Sequence, residues 1–352
     1  MIFLTSIAAN YLDKAQVLAE TIKTHHPDSK VFATLMERKS SINDYSLGFF
    51  DGFIFPEDIW GENFETIIFP YTVVEACTAI KPGALLSLVK NYPGSGAYVF
   101  LDPDVYVMSP LQEIIDLIAT YEIILTPHLT EPEKSEEGVL ENEIHGCMRH
   151  GAYNLGFIAV SGGVESIKFL NWWDARLKKY CYEDFCLGLF TDQKWIDLVP
   201  SFFENVKILR HPGYNIAPWN ISNRAVKLRD GRYFCNEFPI RFIHFTGFDS
   251  GANLMQMIKY CPDLSNPIFE LRDVYISKLK ETANLKKKDW TFANFLSGRK
   301  ISHWHRSLYR TSPWNTPYVF EPGLISKVKV SKKIFLTNFR AIIHILKSFY
   351  RS

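Results

Sequence analysis

Residues 2–7 form an apolar run that ends in small residues. From 11 to 25 the apolar positions Leu12, Ala15, Leu18, Ala19 and Ile22 then recur at helical spacing. The pattern predicts a strand, a loop and a helix. A second strand is predicted over 31–36 and a third over 53–55, before Pro56. Strands alternating with helices from the first residue imply an α/β fold with a mostly parallel sheet and crossover helices. Ligands bind such sheets beyond the carboxyl ends of the strands, where Ala8, Ala9, Asn10 and Tyr11 fall. Further along, 72–89 reads as helix broken at Lys81-Pro82-Gly83, 111–121 as helix and 123–125 as strand. Residues 131–143 are polar, acidic and without apolar period, and are expected to form a loop that acts as a lid or lies as plain surface. A strand follows over 153–160, whose entry carries Asn154 and Gly156, then a helix over 164–182. Another helix opens near 190–195, with Thr191 or Asp192 as its N-cap. The last strands are expected at 206–209 and 241–245, the latter running through His244 into Gly247.

One stretch breaks the pattern. Residues 98–108 read YVFLDPDVYVM, so an apolar strand delivers Asp102 and Asp104 at its tip and a second β-rich run follows at once. Carboxylates are disfavoured inside strands and costly to bury unpaired, which calls for a cation or a dense set of hydrogen bonds. Oxygen ligands suit Mg²⁺ or Mn²⁺. The alternative is a tight turn in which both side chains cap local amides. His244 is a third potential ligand at a strand end, and two carboxylates with one imidazole fit Mn²⁺ or Mg²⁺ better than structural zinc.

Composition narrows the class. The chain has 352 residues, 47% hydrophobic and 15% aromatic, enough for a full core in one large domain with additions or in two domains. Six cysteines at scattered spacings, without a CxxC, fit free thiols in a reducing compartment. The start lacks a basic leader and no stretch approaches a membrane span, so a cytoplasmic protein is the expectation. Net charge is +1, but residues 285–352 hold fourteen Lys and Arg against two acidic residues. There Trp290, Trp304, Tyr309, Trp314, Tyr318 and Phe320 are mixed with the cations, and 331–352 reads as an amphipathic helix. Such a segment suits docking on an anionic membrane surface, or packing on the domain with its charges in solvent. No nucleic-acid module is recognised.

In this order the motifs resemble those of a nucleotide-sugar-dependent glycosyltransferase of the GT-A (Rossmann-like) fold, most similar to the retaining glycosyltransferase family 8. The resemblance spans about 1–251. It implies a catalytic domain over 1–284, with its nucleotide-binding part at about 1–125 and its donor-sugar and acceptor part at 126–284, followed by a basic, aromatic-rich helical extension. It implies that Ala8, Asn10 and Tyr11 hold the nucleotide, with Tyr11 on the uracil of a UDP-sugar. Asp102-Pro103-Asp104 resembles the DxD motif that binds metal and diphosphate, and His244 the third metal ligand. Gly247 would meet the diphosphate, Asn154 and Gly156 the donor sugar, and Asp192 and Gln193 the region beneath the anomeric carbon. The family continues with Lys-Pro-Trp where this chain reads Phe248-Asp249-Ser250-Gly251, and Lys81 is the candidate for the missing cation. The implied activity is metal-dependent hexosyl transfer from a UDP-sugar, with retention, to a glycan or lipid-linked glycan in cell-surface polysaccharide synthesis at the cytosolic membrane face. The rivals are a sugar-phosphate nucleotidyltransferase, which would want a glycine-rich phosphate loop after the first strand, and a catalytically silent sugar-nucleotide binder or scaffold.

Overall fold

The central strand β1 (Ile2–Ile7) is buried along its whole length, as expected of a strand covered on both faces. The computed structural model describes residues 1–41, 46–282, 289–319 and 321–322. Around β1 lie β2 (Lys30–Leu35), β3 (Gly52–Ile54), β4 (Tyr98–Leu101), β6 (Ile123–Pro127), β7 (Tyr153–Val160) and β8 (Val206–Ile208), in the order β8-β6-β7-β4-β1-β2-β3. The pairs β1–β2, β1–β4, β2–β3 and β6–β8 are parallel, and only β7 runs antiparallel to its neighbours β4 and β6. The protein is therefore a mixed α/β structure with a mostly parallel seven-stranded sheet.

A separate ribbon pairs β5 (Val105–Val107) with β9 (Phe242–His244), setting His244 opposite Val105. The ribbon exists because β4 stops at Asp102. The Asp102 amide donates to the Gly156 carbonyl at 3.0 Å, the Val105 amide turns back to the Asp102 carbonyl at 3.1 Å, and the chain leaves the sheet.

Helix α1 (Leu12–His25) buries the apolar face that its spacing predicts. The helix expected over 72–89 is two helices, α2 (Val73–Ala79) and α3 (Lys81–Asn91). Thr72 and Glu75 form a reciprocal capping box on α2, while Pro82 sits in the first turn of α3, where its missing N–H costs no helical bond. Helix α4 (Val164–Tyr180) covers the same face. All six cysteines are free thiols.

Two expectations are corrected. Within the stretch expected as a loop, Ser135 caps a helical turn, and Val139–Met148 continues as a π-helix. Leu140, Ile144, Cys147 and Met148 recur at helical spacing, but the stretch read as a loop stops at 143, before three of these four. Neither Thr191 nor Asp192 is an N-cap. The 3₁₀ segment Lys194–Leu198 starts after Gln193, without any side-chain cap.

The described part of the C-terminal segment packs on the domain. Phe292, Phe295, Tyr309 and Tyr318 join the same apolar cluster as Ile2, Phe69 and Trp173. In helix α5 (His303–Thr311), Arg306 donates to the Phe69 and Phe292 carbonyls and Arg310 to Glu75 at 2.8 Å, so two of the basic residues serve packing. The amphipathic stretch 331–352 lies outside the described residues, as does Phe320. Among the described residues no helix is long and apolar enough to cross a membrane.

Phe292 is fully buried against Phe64, Trp290 and Tyr318. Phe292→Ala is expected to lower unfolding stability by about 3–5 kcal/mol in denaturant titration. A loss under about 1 kcal/mol would mean that this segment does not pack on the domain.

Candidate active site

The β4 turn and the β5–β9 ribbon bring Asp102, Asp104 and His244 together, with one ligand atom from each lying within 4.8 Å of the others. Imidazole Nε2 is 3.1 Å from Asp104 Oδ1 and 3.7 Å from Asp102 Oδ2. Burial opposes a charge on His244, but Asp104 and Asp102 outweigh it and hold its pKa above the ordinary value. Burial likewise opposes the charge on Asp104, and His244 more than offsets it, keeping that carboxyl below the usual range. At Asp102 burial prevails and the pKa is raised.

Beneath them lies Lys81, 2% exposed. Its ammonium meets Asp192 Oδ2 at 2.9 Å, Asp102 Oδ1 at 3.3 Å and the Leu155 carbonyl at 3.1 Å, over the Phe100 ring. Burial works against this charge, yet the two carboxylates push its pKa up to about 12. The assignment of Lys81 as the cation that faces a diphosphate therefore changes. Its ammonium donates to Asp102 and the Leu155 carbonyl and is ion-paired with Asp192, so it acts as the counter-ion of both carboxylates. With His244 deprotonated, as metal ligation requires, Asp102, Asp104 and Asp192 against Lys81 leave two negative charges, which one divalent cation would balance. Oxygen, oxygen and imidazole ligands match Mn²⁺ or Mg²⁺ in kind.

The tautomer of His244 is set from behind. Asn215 Nδ2 donates to Thr126 Oγ1 at 3.1 Å and to Asn154 Oδ1 at 2.9 Å, which leaves Asn215 Oδ1 to accept from His244 Nδ1 at 3.2 Å. Nε2 is thus turned toward the carboxylates, where it donates to Asp104 while protonated and offers its lone pair once deprotonated, the usual arrangement for a metal-binding imidazole. Asn215 takes a left-handed backbone (φ 56°), which Asn tolerates better than most residues.

Asn154 is the hub of this layer. Its oxygen accepts from the Gly156 amide and Asn215, and its Nδ2 donates to His128 Nε2 at 3.1 Å and to Gln193 Oε1 at 3.5 Å. Burial holds His128 down to about 3, so it stays neutral and able to accept. Gln193 Oε1 also accepts from the Leu155 amide at 3.0 Å, and its Nε2 donates to the His150 carbonyl. The Gln193 oxygen, expected beneath the anomeric carbon, thus already carries two bonds in this arrangement. Gly156 also has a different role from the one expected. A Cβ there would lie 2.4 Å from His244 Cε1, so the glycine makes room for the ligand ring, and Gly156 does not line the cleft. Thr191, a β-branched residue at φ 43°, turns the chain so that Asp192 reaches Lys81, and its hydroxyl donates to Asp192 Oδ1 at 3.0 Å.

A cleft of about 560 Å³ opens over this set, lined by Asp102, Asp104, Asp192, Gln193, Asn154 and His244 and closed on the far side by Glu141, Asn142 and His145 of the Val139–Met148 helix. Ala8, Asn10, Tyr11 and Gly247 do not line it. Ala8 is buried and Asn10 exposed. Tyr11 is joined to the turn after Gly247, where its hydroxyl donates to Asp249 Oδ2 at 3.1 Å. Lys14, 5% exposed, forms an ion pair with the same carboxylate, and its Nζ stands 4.3 Å from the Tyr11 ring centre. Its charge helps to hold Asp104 ionised. Lys14, Asp249, Asn215 and His128 were missed by sequence reasoning. The one available signal was the density of turn residues over 211–220.

No protein-family model matches the chain. It is 26% identical over 179 residues to the uncharacterized protein YfnD of Bacillus subtilis (strain 168), covering 50% of this chain and 55% of YfnD. It is 26% identical over 178 residues to the uncharacterized protein YfnF of the same strain, covering 49% of this chain and 57% of YfnF. The chain thus spans little more than half the length of the curated relatives it matches. Among solved structures, it overlays on the galactosyltransferase LgtC in complex with donor and acceptor sugar analogues with a TM-score of 0.47 and 16% identity, covering 82% of this chain and 98% of that one. The glycosyltransferase GlyE of Streptococcus pneumoniae TIGR4 gives a TM-score of 0.43 and 11% identity, covering 82% and 65%.

Two measurements test the site. Asn215→Gly keeps the backbone angle and removes the bond to His244, and is expected to weaken Mn²⁺ binding roughly 10- to 100-fold by calorimetry. Unchanged affinity would remove Asn215 from the site. His244 must lose its proton to ligate, and its pKa is raised, so Mn²⁺ affinity is expected to rise from pH 6 to pH 8. Affinity that stays flat over that range would exclude His244 as a ligand.

Proposed function

We propose that the protein is a glycosyltransferase that moves a hexose from a nucleoside-diphosphate sugar, with UDP as the expected nucleotide, to a glycan or lipid-linked glycan acceptor in cell-surface polysaccharide synthesis. The observation that carries this reading is the Asp102–Asp104–His244 set, two charges short of neutral, with an imidazole turned toward the carboxylates by Asn215. The motif resemblance at Tyr11, Asn154, Asp192, Gln193 and Gly247 supports the same reading. Asp102, Asp104 and His244 would hold Mn²⁺ or Mg²⁺, which when bound supplies electrostatic stabilisation for negative charge on the leaving diphosphate.

The chain's own residues divide the remaining work. Lys81 neutralises Asp102 and Asp192 and so keeps the floor of the cleft from repelling an anionic donor. Lys14 stands beside Tyr11 and near Asp104, and takes the place of the absent Lys-Pro-Trp cation toward the diphosphate. Asp249 holds the Lys14 ammonium until the donor arrives. Gln193 is a poor nucleophile, and Asp192 is tied to Lys81 and Thr191, which favours attack from the same face as the departing diphosphate and hence retention. The Val139–Met148 helix walls the cleft on the acceptor side and limits the access of water.

The direct test is a donor screen. The protein with Mn²⁺ is incubated with several nucleotide sugars, alone and with membrane extract as acceptor, and release of nucleoside diphosphate is measured. Release with one donor, abolished by Asp104→Ala in a folded protein, is the expected result. No release with any donor would favour a silent binder. Lys14→Met is expected to weaken UDP binding roughly tenfold, and an unchanged affinity would exclude Lys14 from the diphosphate site.

A further inference from the structure

Away from the cleft, Arg224 is 3% exposed and forms no ion pair among the described residues. One nitrogen, Nη1, donates to the carbonyls of Pro212 and Tyr214, the former at 2.9 Å, while Nε is buried without a partner. The neighbouring Asn223 Nδ2 is likewise buried without a partner. Burial alone lowers the guanidinium pKa to about 10, and only Cys235 opposes it, so no carboxylate offsets the charge. Both residues line a cavity of about 360 Å³ together with Ser222, Asn236 and the exposed side chains of Glu131 and Lys134. A desolvated guanidinium without a counter-ion is costly, and Arg224 Nε and Asn223 Nδ2 are unpaired donors of the kind from which an oxyanion accepts.

We propose that this cavity binds an oxyanion, a carboxylate or phosphate group, and that the group belongs to the acceptor. The position supports the second half. Ser222 lines this cavity and donates to Glu133 Oε1 at 2.6 Å, and Asn142, which lines the cleft, donates to the same oxygen at 2.8 Å, so a single carboxylate partitions the two spaces. An acidic sugar or phosphodiester on a chain that reaches past the Val139–Met148 helix would seat its charge on Arg224 and Asn223. The identity of the carrier rests on the glycosyl-transfer reading; the binding of an oxyanion does not.

The test uses the full chain, melted in rising inorganic phosphate and, separately, sodium glucuronate, each against sodium chloride of equal ionic strength. A saturable rise in Tm with at least one of the two is expected, and phosphate against glucuronate separates the two sources of the anion. Asn223→Asp places a carboxylate beside Arg224, and is expected to leave the protein folded while cancelling the anion response. Lys134→Glu, at an exposed position, is expected to weaken the response roughly tenfold, and it decides the matter should Asn223→Asp fail to fold. The proposal is overturned if wild type shows no saturable shift with either anion, or if the folded variants respond as wild type does. Mn²⁺-dependent UDP binding by Asn223→Asp is the control. Its loss in wild type and variant alike would count against the transfer reading, while the anion response would stand.

Discussion

Two carboxylates, Asp102 and Asp192, converge on one buried ammonium, Lys81, while Asp104 faces His244, and the excess of carboxylates over cations governs the site. A protein of neutral average charge would not gather such a set at the end of an apolar strand without a use for it. The surrounding structure holds the imbalance in place. The β5–β9 ribbon keeps His244 against the carboxylates, Gly156 leaves room for its ring, and Asn215 and Asn154 fix which nitrogen faces forward. Hydrogen-bonded networks of buried polar groups are rigid, so Asp102, Asp104 and His244 are held together by the protein itself.

The same logic reaches the edge where a nucleotide would lie. Glu37, 1% exposed, accepts from the Ala9 amide on one oxygen and from the Thr291 amide and hydroxyl on the other. Trp290 adds a bond from its indole nitrogen to the Met36 carbonyl at 2.7 Å. The segment after residue 288 thereby braces the Ala8–Tyr11 region through one carboxylate, and its aromatic residues complete the core. Its described cations are used for packing at Arg306 and Arg310, which composition alone could not reveal because a charge count carries no direction.

Much of this was legible in the sequence, and what was not has physical reasons. Strand and helix alternation announces the sheet, and Asp102 and Asp104 stand out because carboxylates rarely end an apolar strand. His244 could be paired with them only through order and resemblance, since ribbon pairing is long-range. Asn215 and His128 were hidden because a buried amide or neutral imidazole has no distinctive spacing. Gly156 was read as meeting a sugar, whereas the group that approaches it is the His244 ring. The Val139–Met148 helix was missed because the polar stretch read as a loop ended at 143, short of Ile144, Cys147 and Met148, which complete the helical spacing begun at Leu140. Asp192 was read both as a cap and as a site residue; the positive φ at Thr191 turns it toward Lys81.

On the proposed reading, Asp102, Asp104 and His244 would form a metal centre for a diphosphate. Calorimetric titration of UDP and UMP into the protein, with and without Mn²⁺, tests it most directly. The account predicts that UDP binds with Mn²⁺ and binds much more weakly without it, and that UMP, lacking the second phosphate, gains little from the metal. Equal binding of UDP in the absence of metal, or UMP binding as tightly as UDP in its presence, would contradict it.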